Sequence, residues 1–301
     1  MGVGCPVRKC RSYFADGYAT IRSGARLARR RLSMEMRPTM PAQVDDAEGP
    51  APPPRRLAAG EGAAWWGESW RIFCAAPLAW VGIFVVFVVL SIVFTLVPII
   101  GRPIYVMLTP VFAGGVMLGC HALARGEPLT IGHLFDGFRG PRFQGLLILG
   151  LLSVAIMFAV AVFAAATIFL ALGASGLAGI LHVLDAADVA GIDYVALSQA
   201  IASAGLAILV VLLVSLAVAL VVATAYWFAP ALVVLNGEPP LVALSKSFAA
   251  SWHNVGAFLL YGLIYVGLAI GASIPLGLGW LVLGPMVAGS CYAGWRTIFG
   301  R

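Results

Sequence analysis

Charge is scarce in this chain: only 11% of its 301 residues are Asp, Glu, Lys or Arg, while 61% are hydrophobic. An ordinary soluble domain carries about 25% charged and roughly 45–50% apolar residues, so a water-soluble fold has no means of covering this much apolar surface. The charge is also unevenly placed. Residues 1–56 hold eleven Lys and Arg against five acids, the whole of the net +6, and from residue 57 onward eight basic residues meet eight acidic ones. The basic balance therefore belongs to an N-terminal extension. It is no nucleic-acid footprint, which needs a basic face on a folded module, and no nucleic-acid partner is expected.

Catalytic and metal-binding signatures are missing as well. The five cysteines, Cys5, Cys10, Cys74, Cys120 and Cys291, include no C-x-x-C and no Cys/His set at metal-ligand spacing. Cys74, Cys120 and Cys291 lie in or beside apolar runs, where Cys acts as a small packing residue. There is no Walker loop, no nucleophile elbow and no zinc signature. The sequence accordingly predicts a non-enzymatic protein, with no catalytic residue, no metal ligand and no cofactor site.

What is present is a set of long apolar runs. A transmembrane helix needs about 20 apolar residues to cross roughly 30 Å of hydrocarbon. Six stretches qualify: 78–100, 104–124, 145–172, 205–235, 257–274 and 276–295, and none contains a charged residue. Intramembrane charge marks proton relays and ion paths, so its lack argues against an ion pathway lined by side-chain charge. Only Pro275 separates the last two runs, which leaves a full crossing and a re-entrant pair both open.

Basic residues in short loops collect on the cytoplasmic side. If six spans alternate, Arg71, Arg125, Arg139, Arg142, Lys246, Arg296 and Arg301 share one side and Arg102 alone takes the other. Both termini are then cytoplasmic, and 173–204, with Asp185, Asp188 and Asp193 and no basic residue, is the long outside loop. Three carboxylates in a loop without a hard-cation motif read as solvation. Trp65, Trp66, Trp70, Trp80, Tyr226, Trp227, Tyr292 and Trp295 sit near the expected span ends, where amphipathic rings favour the headgroup level.

The extension, 1–62, carries a basic stretch at 21–32 with no apolar run after it, so it fails as a secretory or twin-arginine signal. Residues 38–62 are rich in Pro, Ala and Gly and read as a disordered tether. Met34, Met36 and Met40 are alternative starts, which would make the first part of the extension an artefact of the start codon.

The body repeats. RGEPLTIGHLFDGF, residues 125–138, follows a run containing Pro110, and NGEPPLVALSKSF, residues 236–248, follows one containing Pro230. Each resumes with apolar residues on one helical face: Ile131, Leu134, Phe135 and Phe138, then Leu241, Leu244, Phe248 and Trp252. Pro128 and Pro239 suit the first turns of such helices, and Glu127 and Glu238 would meet the positive dipole end there. Trp66, Trp70 and Phe73 keep the same spacing before the first span. The run ends match too, Val97-Pro98 with Pro110 and Ile274-Pro275 with Pro285. The expected fold is an all-α, polytopic membrane helical bundle of about six transmembrane helices, in three tandem hairpin units, each opened by an interfacial amphipathic helix.

Trp70-Arg71-Ile-Phe73 leading to Pro77-Leu-Ala-Trp80, the Gly-Glu-Pro-Leu…Leu-Phe-Asp-Gly-Phe stretch, and Gly289-Ser-Cys-Tyr292-Ala-Gly-Trp-Arg296-Thr-Ile-Phe299 resemble an uncharacterised family of bacterial multi-pass inner-membrane proteins, a domain of unknown function. The resemblance covers 65–301. It implies a bacterial inner membrane location and brings no activity or site residues.

Single candidates read as structural. His121 lies near the inner end of the second run, and His133 and His253 lie in the two repeated connectors without a ligand partner at i+3 or i+4. Asp136 and Arg139 stand at i, i+3, as a surface pair does. Gly114, Gly115 and Gly119 permit close helix approach. The expected role is an envelope scaffold whose partners are the lipid bilayer and either other membrane proteins or further copies of the chain. The alternative is a transporter or channel for a small, weakly charged solute, with helices broken at Pro98, Pro110, Pro230, Pro275 and Pro285.

Overall fold

The computed structural model describes residues 49–185 and 194–300. Regular structure there is helical, with no strand among the described residues. In chain order the helices are α1 (Glu61–Ala75), α2 (Pro77–Thr95), α3 (Gly101–Ala124), a 3-10 helix (Ile131–Phe138), α4 (Phe143–Asp185), α5 (Tyr194–Trp227), α6 (Ala229–Asn236), α7 (Pro240–His253), α8 (Val255–Ser273) and α9 (Trp280–Phe299).

Five helices are long and apolar enough to cross a membrane: α2, α3, α4 over Phe143–Thr167, the α5/α6 pair over Ile208–Asn236, and α8. At 1.5 Å per residue the 19 residues of α2 and of α8 reach about 28 Å, one hydrocarbon thickness. The sixth expected span, 276–295, falls on α9, which is not among those five. Leu78, Val89, Leu212, Leu259 and Leu263 stand well exposed on the outer faces of these helices.

Three expectations change. The stretch 173–204 is helical over 173–185 and again over 194–204, because this Ala- and Leu-rich sequence lacks proline to stop a helix. Asp185 closes α4, and Asp188 and Asp193 lie outside the described residues, as does the extension before residue 49. The run 205–235 is broken at Phe228, since Pro230 withholds an N–H. The Phe228 N–H turns to Ser247 Oγ at 3.0 Å, and Ser247 Oγ donates to Thr224 O at 2.9 Å, so α7 supplies the bonds that the break forfeits.

The third concerns the tether. The sequence reading runs it to residue 62, but residues 51–57 form a strap fixed to the body, with backbone groups of Ala51, Arg55 and Leu57 all hydrogen bonded. The prolines at 52–54 hold this stretch extended, which lowers the entropy lost when it docks.

The segments expected to lie on the surface each pack closely on a longer helix of the body. The 3-10 helix lies on α3, α7 on α5, and α1 on α9. Glycine permits the first contact: a Cβ at Gly115 would lie 2.5 Å from His133 O, and one at Gly137 would lie 2.0 Å from Val111 O. In the 3-10 helix Leu134 is fully buried while Ile131 and Phe135 face out. In α7 the small residues Ala243, Ser247, Ala250 and Ser251 face the protein, and Leu241 and Trp252 are exposed. In α1, Trp65, Trp66 and Phe73 are buried, with Trp66 stacked on Tyr261 at 4.7 Å.

Candidate functional site at the strap end

Both Gly-Glu-Pro turns, the strap and the C-terminal ends of α3, α6 and α9 gather at one end of the body. Each turn is built by its glycine. Gly126 and Gly237 have φ of +81° and +69°, a left-handed conformation that glycine adopts without strain and that closes a helix C-terminus. The Glu127 N–H returns to Ala122 O and that of Glu238 to Leu232 O. The Arg142 guanidinium lies against the bare face of Gly237, where any side chain would collide with it.

The two glutamates then diverge. Neither lies in a helical first turn, so the expected dipole-capping role does not hold; the helices begin further on, at Ile131 and Pro240. Glu127 is half exposed and pairs with Arg125 at 3.1 Å. Glu238 is buried, its side chain 4% exposed, and Oε1 accepts from Lys246 Nζ at 2.5 Å and from the Ala51 N–H at 2.7 Å. Lys246 Nζ also donates to Ala51 O at 2.7 Å, so one ion pair grips both polar groups of a single strap residue. A buried carboxylate without such partners would be strongly destabilising. Further along, Asn254 Nδ2 donates to Arg55 O, Asn254 Oδ1 accepts from the Leu57 N–H, and the Arg55 N–H reaches Ile298 O. The strap thus ties α7, α8 and α9 together.

Beside this clasp, α3 and α9 run side by side toward the same end. His121 Nδ1 and Tyr292 Oη stand 3.2 Å apart and join them, about one turn before the end of α3 and two before the end of α9. Arg125 and Arg296 follow at i+4 from His121 and Tyr292. Glu68 of α1 accepts from Arg296 at 2.9 Å and from Arg71 at 3.3 Å. Behind lie Trp295 Nε1 donating to Asn236 Oδ1 at 2.9 Å, Tyr261 Oη bonded to Ser290 Oγ at 2.9 Å, and Ser69 Oγ donating to Met286 O. Phe228, Trp295, Ile298 and Phe299, all buried, fill the space between the helix ends.

The remaining sequence candidates take structural places. His133 caps its own 3-10 helix, its Nδ1 accepting the Thr130 N–H at 3.0 Å. His253 ends α7. Asp136 and Arg139 stand 3.7 Å apart at the end of the 3-10 helix. Cys120 is buried, and Cys291 Sγ donates to Trp227 O. No three His, Cys, Asp or Glu side chains among the described residues gather to hold a metal. Gly115 and Gly119 pack on the 3-10 helix and Gly114 on Leu146 and Val234. The strap, Ser247 and the His121–Tyr292 bridge were missed by sequence reasoning. The one signal for any of them is the small-residue face of α7, where Ala243, Ser247, Ala250 and Ser251 recur at helical spacing opposite the large apolar residues.

No family model matches the sequence, and no solved structure matches it. A protein of Burkholderia thailandensis named "Probable inner membrane protein" is 34% identical over 223 residues, which span 73% of this chain and 77% of that protein.

Proposed function

The chain belongs to the same family of bacterial inner-membrane proteins as the Burkholderia thailandensis protein, and from that premise we propose that it is a non-enzymatic, six-span scaffold of three hairpin units closed into a ring. Hairpins α2/α3, α4 with α5/α6, and α8/α9 are the units. The 3-10 helix, opening the second, lies on the last helix of the first; α7, opening the third, lies on the last helix of the second; α1, opening the first, lies on α9, the last of the third. The turns of the first and third hairpins agree as well, each placing a residue with positive φ directly after its proline, Ile99 at 66° and Leu276 at 53°.

In this reading the strap end is cytoplasmic with both termini, and α9 is the sixth span, shielded from lipid by α1 and α2. The exposed Leu241 and Trp252 and the half-exposed Phe248 of α7, with Ile131 and Phe135 of the 3-10 helix, form an apolar rim for the headgroup boundary.

The observation that carries the scaffold reading over a pathway is the filled strap end: Phe228, Trp295, Ile298 and Phe299 are buried between the helix ends, where a passage would have to open. The break at Phe228 favours the transporter alternative, but its free backbone groups are taken by Ser247 rather than left facing a cavity. Liposome flux separates the two. A scaffold leaves the entry of small neutral solutes at the rate of empty liposomes, whereas entry that Pro230→Ala abolishes would establish transport. Reporter fusions after Arg142 and Arg301 test the orientation; an active periplasmic phosphatase at either position overturns it.

A further inference from the structure

The notch between the ends of α3 and α9 has the makings of an anion site that the scaffold role does not require. The two helices run in the same direction: Phe87 of α2 meets Phe112 of α3, Phe84 of α2 meets Gly284 of α9, and both then proceed to the strap end. The contact between His121 and Tyr292 sets their register. Arg125 and Arg296, four residues on from these two, rise by the same step of about 6 Å on the same faces. Two guanidinium groups therefore flank one seam, one turn above a polar floor. Arg71 of α1 is linked to Arg296 through Glu68, which places a third guanidinium at the rim.

The charges do not cancel. Arg71, Arg125 and Arg296 face Glu68 and Glu127, leaving one positive charge, and Arg125, Arg296 and Glu68 are the charged groups facing Tyr292. The three ion pairs each use one guanidinium N–H of the five that an arginine carries. The side chains of Arg71, Arg125 and Arg296 are 82%, 42% and 50% exposed. The matching position of the second Gly-Glu-Pro turn holds Asn236 instead, buried and bonded to Trp295. The excess donors thus belong to one seam of the ring.

We propose that this notch binds the phosphate of an anionic phospholipid, gripped by Arg125 and Arg296 with Arg71 at its edge and its acyl chains lying down the apolar faces of α2 and α3. A phosphodiester carries the single negative charge that neutralises the site. Arginine suits it because its planar fork meets phosphate with two N–H groups at once. A seam of basic residues between membrane helices on the cytoplasmic side is where such headgroups are recognised.

The test uses the purified full-length chain in detergent, with binding of cardiolipin, phosphatidylglycerol, phosphatidylethanolamine and inorganic phosphate followed by native mass spectrometry and by the shift in melting temperature. Wild-type protein retains the two anionic lipids in preference to phosphatidylethanolamine. R125Q/R296Q weakens that binding about thirtyfold, the effect of two charges near the surface. R102Q, at the other end, leaves it unchanged. E68Q releases Arg71 and Arg296 and tightens it, a gain that a merely misfolded variant would not give. Equal lipid affinity in wild type and R125Q/R296Q overturns the proposal, as does weakening by E68Q, or a response to inorganic phosphate with none to lipid.

Discussion

Replacing Gly115 by alanine adds one methyl group to the contact between α3 and the 3-10 helix. The new Cβ would lie 2.5 Å from His133 O and 2.6 Å from Leu134 O, well inside contact distance. Both neighbours are backbone atoms, so no rotamer change relieves the clash and the whole 3-10 helix must shift. Overpacking of this kind costs about 1–3 kcal/mol. Alanine also removes glycine's entropic penalty in a helix, worth roughly 0.5–1 kcal/mol in the opposite direction. The net expectation for Gly115→Ala is a destabilisation of about 1–2 kcal/mol, or a melting temperature lower by roughly 2–8 °C for a domain of this size. Gly262→Ala in α8 is the internal control: nothing lies within 4 Å of its added Cβ, so only the entropic gain remains and the melting temperature should hold or rise. Thermal melts of both variants in one detergent decide the matter. A Gly115→Ala protein that melts with or above Gly262→Ala would mean that the 3-10 helix does not dock on α3 at this distance.

Three further outcomes follow from the strap, the broken helix and the rim. Glu238→Gln or Asn254→Ala should loosen the strap and speed tryptic cleavage at Arg55 and Arg56 roughly tenfold, as expected when a buried hydrogen-bond partner worth about 1–3 kcal/mol is lost; a digestion rate equal to wild type would show that the clasp holds nothing. Ser247→Ala removes the partner of the Phe228 N–H and should lower stability by about 1–3 kcal/mol in reversible denaturation, whereas the exposed Ser245→Ala should change it little. In inverted membrane vesicles, cysteine at Leu241, Phe248 or Trp252 should resist a charged thiol reagent and cysteine at Asp136 or Arg139 should react quickly; uniform labelling would remove the interfacial role assigned to α7.

The membrane class was legible in composition alone, because 61% hydrophobic residues admit no water-soluble arrangement. The apolar runs were legible for the same reason: a helix that satisfies its own backbone bonds is what hydrocarbon permits. The duplicated Gly-Glu-Pro turns were visible too, since Gly126 and Gly237 are local conformational requirements that a short string carries. Length misled where local signals were weak, as over 173–185 and 194–204, where the chain is helical.

Tertiary structure decided what long-range contacts decide. Glu127 and Glu238 stand in the same string, yet one is half exposed on a neighbouring arginine and the other is buried, because a strap nearly 190 positions away presents its backbone to Glu238. Prolines and alanines before the first helix read as a tether by composition, and it is distant groups, Glu238, Lys246, Asn254 and the Ile298 carbonyl, that turn residues 51–57 into a clamp. Arg125 and Arg296 share a seam because His121 meets Tyr292, a contact 171 positions apart along the chain that no spacing rule contains. Local pattern reports the period of a helix and the handedness of a turn; which faces meet depends on packing among all the helices together, and that is a property of the folded chain.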